Sequence, residues 1–469
     1  MKLDATKPRA GFILVGILVI VMLGSMVAMS LLFRVQGGES AAVAGAGGEQ
    51  AWLVAMSGIE EAIKSARSVK PGSVEWRNDP ARFKDRLVFD DGSDQWFFTI
   101  YSEPDIDSLE PVRHGLTDCA SKLNLNKASR EMLAKVPGFS QALLDAYLGP
   151  KSAAEGEVVP LTSIRSVFDT TERARPARLV ALTELFQFRG FTPAVLFGED
   201  ANFNFALDAN EDDAQTRTPL DNQDGKLDLG LRRYLTVASY EDNRLPISEG
   251  VRRVNINDAK DALPAVELPA SLTNFIIALR TNSMQISHPV SLLDAKISVK
   301  DEKGNAVEVS SGIGKDDLDT VLKHFTCEAD EQTPGLINVN TASAAVLATL
   351  PGLDDALAER IVSTRSAVSP ERRETIAWVL TEGALEMEKF KVVAPYLTSR
   401  SLQFEFSVVG FAKPSGRFKS FEVIVDLAGG DGRVAHLRDL TRYGLPFGLE
   451  SNSQPSGEPS SSPLAANAL

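Results

Sequence analysis

"FILVGILVIVMLGSMVAMSLLF", Phe12 to Phe33, contains no charged side chain; Lys2, Lys7 and Arg9 precede it and Arg34 follows it. As a helix rising 1.5 Å per residue it measures roughly 33 Å, enough to cross about 30 Å of hydrocarbon. Basic residues before the segment and an acidic body after it orient the N-terminus to the cytoplasm and the body outside. A cleaved secretory signal competes with this reading, because "AVAGA" at 42 to 46 offers small residues for cleavage. The apolar core of such signals is usually about 7 to 15 residues, and this one is longer.

Beyond Arg34 the chain stays Ala-rich, and Trp52, Met56, Ile59 and Ile63 recur at helical spacing. That periodicity predicts a helix with one apolar face. Gly37, Gly38, Gly45, Gly47 and Gly48 fall within it, each worth about 1 kcal/mol against the helix. A break or flexible neck is therefore expected there.

The 469 residues carry 63 acidic and 49 basic side chains, a net charge of -14. Such a surface repels phosphate polymers, whose binding depends on Lys and Arg displacing counterions. Cys119 and Cys327 are too few and too far apart in sequence for a disulfide framework. Whether they pair is left open. His114, His288, His324 and His436 stand singly, without metal-ligand spacing, and neither a nucleophile elbow nor a nucleotide loop is present. The expectation is a non-catalytic protein.

Three stretches align with one another: "LNLNKASREMLAKVPGF" from Leu123, "VNINDAKDALPAVELPA" from Val254 and "INVNTASAAVLATLPGL" from Ile337. Each opens apolar-Asn-apolar-Asn and continues with apolar residues at helical spacing. Pro137-Gly138 and Pro351-Gly352 turn one helix into the next in the first and third, which reads as a helix-hairpin-helix. Leu268-Pro269 lacks the glycine, so the second hairpin has drifted. The Asn residues, Asn340 among them, suit helix capping and the preceding turn. Asp354 and Asp355 follow the third hairpin glycine, where backbone amides would otherwise meet a phosphate, and they repel it. The repeats are expected to pack a domain and to bind no nucleic acid.

An acidic stretch at 200 to 230 separates the first two repeats. Counted from Asp200, the ligand positions of an EF-hand-type loop fall on Asp200, Asn202, Asn204, the Ala206 carbonyl, Asp208 and Glu211. Oxygen ligands alternating along a tight turn suit calcium. Phe205 departs from the pattern at the sixth place, where glycine usually makes the sharp turn. Asp221, Asn222, Asp224 and Asp228 form a weaker second cluster around Gly225 that lacks a terminal Glu.

Alternating strands are expected in "RLVFDDGSDQWFFTIYSE", turned at Asp91-Gly92, and in "SLQFEFSVVGF", "FKSFEVIVDL" and "RVAHLRDL". They can form one antiparallel sheet into which the helical repeats are inserted. The Ser/Pro-rich tail at 450 to 469 is expected to be disordered.

A short basic leader ending at Gly11, with Phe12 opening an uninterrupted apolar helix, resembles the type IV pilin and pseudopilin class. The resemblance implies cleavage between Gly11 and Phe12 by a prepilin peptidase and methylation of the new amine. Most of the class carries Glu at the fifth mature position; here it is Gly16. In family terms the missing Glu suits a filament tip, since no subunit above needs its amine neutralised. Together with the "LNLNKAS" and "INVNTAS" repeats, this is similar to the minor pseudopilin K family of type II secretion. The resemblance implies an α+β fold: a transmembrane pilin-type helix, a small antiparallel pilin-like sheet, and a large inserted α-helical domain with helix-hairpin-helix or SAM-like repeats.

The expected plan is a leader at 1–11, a span at 12–33, the exposed helix at 34–69 and a first sheet portion at 70–121. Repeats occupy 122–185, 251–330 and 331–400, the acidic insertion 186–250, and the closing strands 401–449. The resemblance also implies structural calcium, a bacterial inner-membrane location with a periplasmic body, and other minor pseudopilins as partners in a tip complex. Secreted substrates or the outer-membrane secretin are further partners in this reading. A minor pilin of a type IV pilus, a membrane-tethered DNA-binding receptor, and a secreted protein whose mature chain begins near Gly47 remain the alternatives.

Overall fold

The computed structural model describes residues 10–104, 112–149, 178–214, 219, 221–244, 251–264, 267–300 and 305–447. The leader before Ala10, part of the first repeat and the tail at 450–469 lie outside the described residues. What is described is a mixed α+β protein.

Helix α1 runs without interruption over Ala10–Ser68. The expected break at Gly37 to Gly48 is absent. Within Leu14–Glu39 the helix has a mean hydropathy of 2.6 and no buried residues, the composition of a membrane span, where the backbone must satisfy its own hydrogen bonds. Farther along, the sheet holds the helix. Ala51, Val54, Ala55, Ile59, Ala62 and Ile63 form the buried stripe, with Met56 packed against it, so the expected face holds at Met56, Ile59 and Ile63. Trp52 is 38% exposed. Packing against a sheet supplies more than enough to offset a few glycines.

The sheet comprises β1 (Arg86–Asp90), β2 (Gln95–Tyr101), β3 (Thr117–Asp118), β4 (Gln403–Lys413), β5 (Phe418–Asp426) and β6 (Arg433–Asp439). Its order is β1-β2-β4-β5-β6, with β3 also on β4; every pairing is antiparallel. The first hairpin and the C-terminal strands thus meet across some 300 residues of intervening chain, with Val408 opposite Ile100. Period-two alternation divides the strands between two faces. Trp96, Phe98, Ile100, Phe404, Phe406, Val408, Val423 and Val425 point to α1. Tyr101, Val409 and Phe411 point the other way, onto Phe205 and Leu229 of the acidic insertion. Helix and sheet come closest at Gly410, where a Cβ would strike the Ala51 carbonyl oxygen and lie 2.7 Å from the Ala55 amide nitrogen.

The three aligned stretches share a construction that their helices alone do not reveal. Each first Asn accepts a bond from the amide of the second: Asn126 to Asn124, Asn257 to Asn255 and Asn340 to Asn338, all at 2.9 Å. Each opening then pairs in parallel with a later strand: Leu123–Asn124 with Leu235–Thr236, beyond the acidic loop, Val254–Asn255 with Phe325–Thr326, and Ile337–Asn338 with Leu397–Thr398. The second Asn clasps a distant backbone. Asn126 bonds both the amide and carbonyl of Leu179, Asn257 those of Ile286, and Asn340 the carbonyls of Arg373 and Ser399. The turn was expected, but capping falls to other residues. Ser129 caps α2 (Arg130–Ala134), Ser140 caps α3 (Gln141–Leu148) and Ser343 caps α5 (Ala344–Leu347). The second unit keeps the clasp but has one long helix after Pro269, α4 (Ala270–Thr281), then an unexpected hairpin of Lys296–Lys300 with Ala306–Ser310 and a short helix at Leu318–His324. All three units share one apolar core.

Candidate functional site

Four places carry the functional expectations. At the N-terminus, Gly11 and Phe12 lie in the first turn of α1. Gly16 sits within the same helix, and a Cβ there would meet nothing within 4 Å.

In the acidic insertion the six residues counted from Asp200 come together in one tight loop. Asp200, Asn204 and Glu211 are 2%, 3% and 0% exposed. Both Glu211 oxygens accept backbone amides, from Ala201 at 2.9 Å and Asp208 at 3.1 Å. The Asn202 and Asn204 side-chain amides converge on Asp208 Oδ2 at 2.7 and 2.9 Å, while the Ala206 amide donates to Asn204 Oδ1 at 2.7 Å. Phe205, the residue that departs from the calcium pattern, has φ 61 and so takes the left-handed turn that glycine takes elsewhere; Phe203 has φ 62. Such a conformation costs a bulky residue about 1–2 kcal/mol. Burial of the rings holds it: Phe205 packs on Tyr101 with centroids 6.0 Å apart, and Phe203 on Phe197 at 4.9 Å.

The loop buries two carboxylates, and Asp200 has the Arg232 guanidinium 3.8 Å away. Asp200 Oδ2 is buried with no hydrogen-bond partner. Desolvation raises the Asp200 carboxyl above its ordinary range and pushes Glu211 up to about 7. Buried carboxylates so placed are costly unless paired or metal-bound. Among the described residues no three His, Cys, Asp or Glu side chains form a ready ligand group. The oxygen chemistry of the set fits calcium.

The second cluster is more open. Asn222 donates to Asp224 Oδ2 at 3.2 Å, the Asp228 carboxylate accepts the Gly230 amide, and Asp221 Oδ2 is buried without a partner. Gln223 and Gly225 both have positive φ. Glu199 joins this cluster, a residue missed in sequence because it precedes both loops. It is 5% exposed, accepts the Asp228 amide at 3.0 Å, and is raised by desolvation, with Asp228 and Asp221 nearby. Its one legible signal was adjacency to Asp200.

The third-repeat hairpin is occupied from within. Lys135, from the first repeat, donates to the carbonyls of Ala348, Leu350 and Leu353 at 2.9, 3.3 and 3.2 Å. Gly352 faces Val392 of α7 (Met387–Val393), with a Cβ position only 3.1 Å from its methyl group. Asp354 caps α6 (Asp355–Ala367) by accepting the Leu357 amide, placing a carboxylate where a phosphate would sit. Arg365 donates to the carbonyls of Val339 and Ala342. Cys119 is buried and Cys327 half-buried, both free thiols.

Residues 334–372 match the helix-hairpin-helix motif family. No curated protein and no solved structure matches the chain.

Proposed function

We propose that this chain is a minor pseudopilin of the K kind, a non-catalytic subunit capping the periplasmic pseudopilus of a type II secretion machine. The observation that carries the reading is α1: one helix whose apolar lower half is wholly unburied and whose upper half packs on an antiparallel sheet. A removable signal has no reason to be continuous with a core helix. Gly16 in place of an acid suits a subunit with nothing above it, since an unpaired carboxylate in lipid is costly. Other minor pseudopilins would meet it along α1, and secreted proteins or the outer-membrane secretin at the exposed body. Calcium would be held by Asp200, Asn202, Asn204, the Ala206 carbonyl, Asp208 and Glu211, rigidifying the insertion after export; the second cluster would take a weaker ion.

The motif match makes duplex binding the rival reading. The capping aspartate and the net charge of -14 weigh against it.

Mass spectrometry of the N-terminal peptide from the native host tests the proposal. A chain beginning at methylated Phe12 is expected. A mature chain beginning near Gly47 overturns it.

A further inference from the structure

A cavity of about 540 Å³ opens between the C-terminal end of α1, the second repeat and the third repeat. That size falls within the roughly 300–1,000 Å³ of small-molecule sites. It shares no residue with the ion loops, and most of its wall is apolar, Pro289, Leu322 and Leu397 included.

Two side chains on this wall have donors without acceptors. Arg253 immediately precedes the Val254–Asn255 strand, and its side chain is 20% exposed. That side chain makes no hydrogen bond among the described residues, and its one ion-pair contact there is 3.7 Å to Glu241 Oε1. The carboxylate is already engaged: Oε1 takes Arg400 at 2.8 Å, and Oε2 takes the Thr398 hydroxyl at 2.5 Å. Of the three guanidinium nitrogens only Nε is fully buried; the terminal pair keeps surface in a side chain that lines the cavity. His288 lines the same wall, where burial and the nearby charge of Arg253 keep its imidazole neutral. Its Nδ1 accepts the Val290 amide at 3.2 Å, which places the proton on Nε2, and that N–H meets no acceptor among the described residues.

The remaining charges at the cavity are matched. Lys323 meets Asp319 and Glu374 at 2.9 and 2.8 Å, and at the exposed rim Arg67 and Lys70 balance Glu328 and Asp431. Arg253 and Arg400 are left to share Glu241, since the neighbouring Asp242 pairs with Arg244 at 3.7 Å. The cavity therefore carries one positive charge in excess. The other repeats show the contrast at the same position. Lys122, just before Leu123–Asn124, lies 3.3 Å from both Glu103 and Glu405, and the third repeat has Leu336 there. The second unit alone sets an unmatched cation at this place, where a desolvated guanidinium without acceptors is costly.

We infer that this cavity binds a ligand with one oxyanion group, which the Arg253 guanidinium and the His288 Nε2–H hold while the ligand's body lies on the apolar wall. A cation would be repelled, and a neutral ligand without an acceptor would leave both donors unsatisfied. Carboxylates and phosphate esters share the required chemistry. The site stands independently of calcium and of the pseudopilin reading.

Isothermal titration of the full-length protein in detergent, at constant ionic strength, tests this with benzoate, phenyl phosphate and benzamide. At least one of the two anions is expected to bind, and benzamide about tenfold or more weakly, the worth of one charged hydrogen bond. Arg253→Met should produce the same loss without lowering the ligand-free Tm, because the side chain it removes donates no hydrogen bond within the described fold. His288→Asn keeps an acceptor for the Val290 amide but loses the Nε2 donor, and it should weaken binding severalfold; it decides the matter if Arg253→Met fails to fold. The better-bound anion assigns the ligand as a carboxylate or a phosphate ester. Equal affinity for benzamide and the anions, unchanged binding in either folded variant, or no binding by either anion overturns the inference.

Discussion

Replacing Gly410 by alanine tests the contact on which the architecture depends. The added methyl would collide with the Ala51 carbonyl oxygen and lie 2.7 Å from the Ala55 amide nitrogen and 3.2 Å from its Cα. All three are backbone atoms of α1, so no side chain can swing aside. Relief requires lifting the helix by about 1 Å, which loosens the contacts of Val54, Ala55 and Ile59 with the sheet. Overpacking of this kind costs typically about 1–3 kcal/mol. The absence of a flexible neighbour places this site toward the upper end, a drop in Tm of roughly 3 °C for a chain of this length. Gly48→Ala is the control: nothing lies within 4 Å of its Cβ position, and in a helix the change should be neutral or stabilising by up to about 1 kcal/mol. Thermal denaturation of both full-length variants in the same detergent measures the difference. Equal stability of Gly410→Ala and the parent protein would refute the close helix-sheet packing.

Asn340→Ala removes bonds to Arg373, Ser399 and the Trp378 indole; a loss of about 3 kcal/mol is expected in urea denaturation, at about 1 kcal/mol per bond, and a loss below half of that would remove the clasp from its structural role. Calcium should raise the Tm of the parent protein, by about 2.7 kcal/mol in equivalent stability at a hundredfold excess over Kd, and Glu211→Gln should abolish most of the rise; isothermal titration with no heat beyond dilution would exclude the loop as a calcium site. His288 bears on acid stability. Burial, with Arg253 nearby, lowers its imidazole from 6.5 to about 4, and its Nδ1 accepts the Val290 amide at 3.2 Å. The unfolded chain therefore takes up a proton that the fold refuses, so this stabilisation is present above about pH 6.5 and is lost as pH falls towards 4. His288→Asn keeps an acceptor without titrating, and its Tm should fall less between pH 7 and 5; an unchanged slope would contradict that account.

The sheet strands were legible because period-two alternation is local, as at Leu402, Phe404, Phe406 and Val408, all buried. The tight turn of the acidic loop was legible for the same reason, its Asn and Glu side chains accepting nearby backbone amides. The turn at Phe205 was not legible, since its left-handed backbone is held by packing on Tyr101, a residue more than a hundred positions away. Of the expected helix face only Trp52 fell outside, because the sheet receives the small side chains of Ala51 and Ala55 beside Met56, Ile59 and Ile63. Glu199 escaped notice because its partner, the Asp228 amide, is 29 residues distant.

By itself the chain's order of residues determined the apolar span, the strands, the Asn-Asn turns and the acidic loop, because each is set by neighbours within one or two turns of backbone. Tertiary structure alone decided the rest. Packing on a sheet kept α1 unbroken through glycines that weaken an isolated helix, Lys135 reached a hairpin in another repeat, and Arg232 was buried among rings beside Asp200. Those outcomes depend on groups tens or hundreds of residues apart, whose contact energies exist only once the chain has folded.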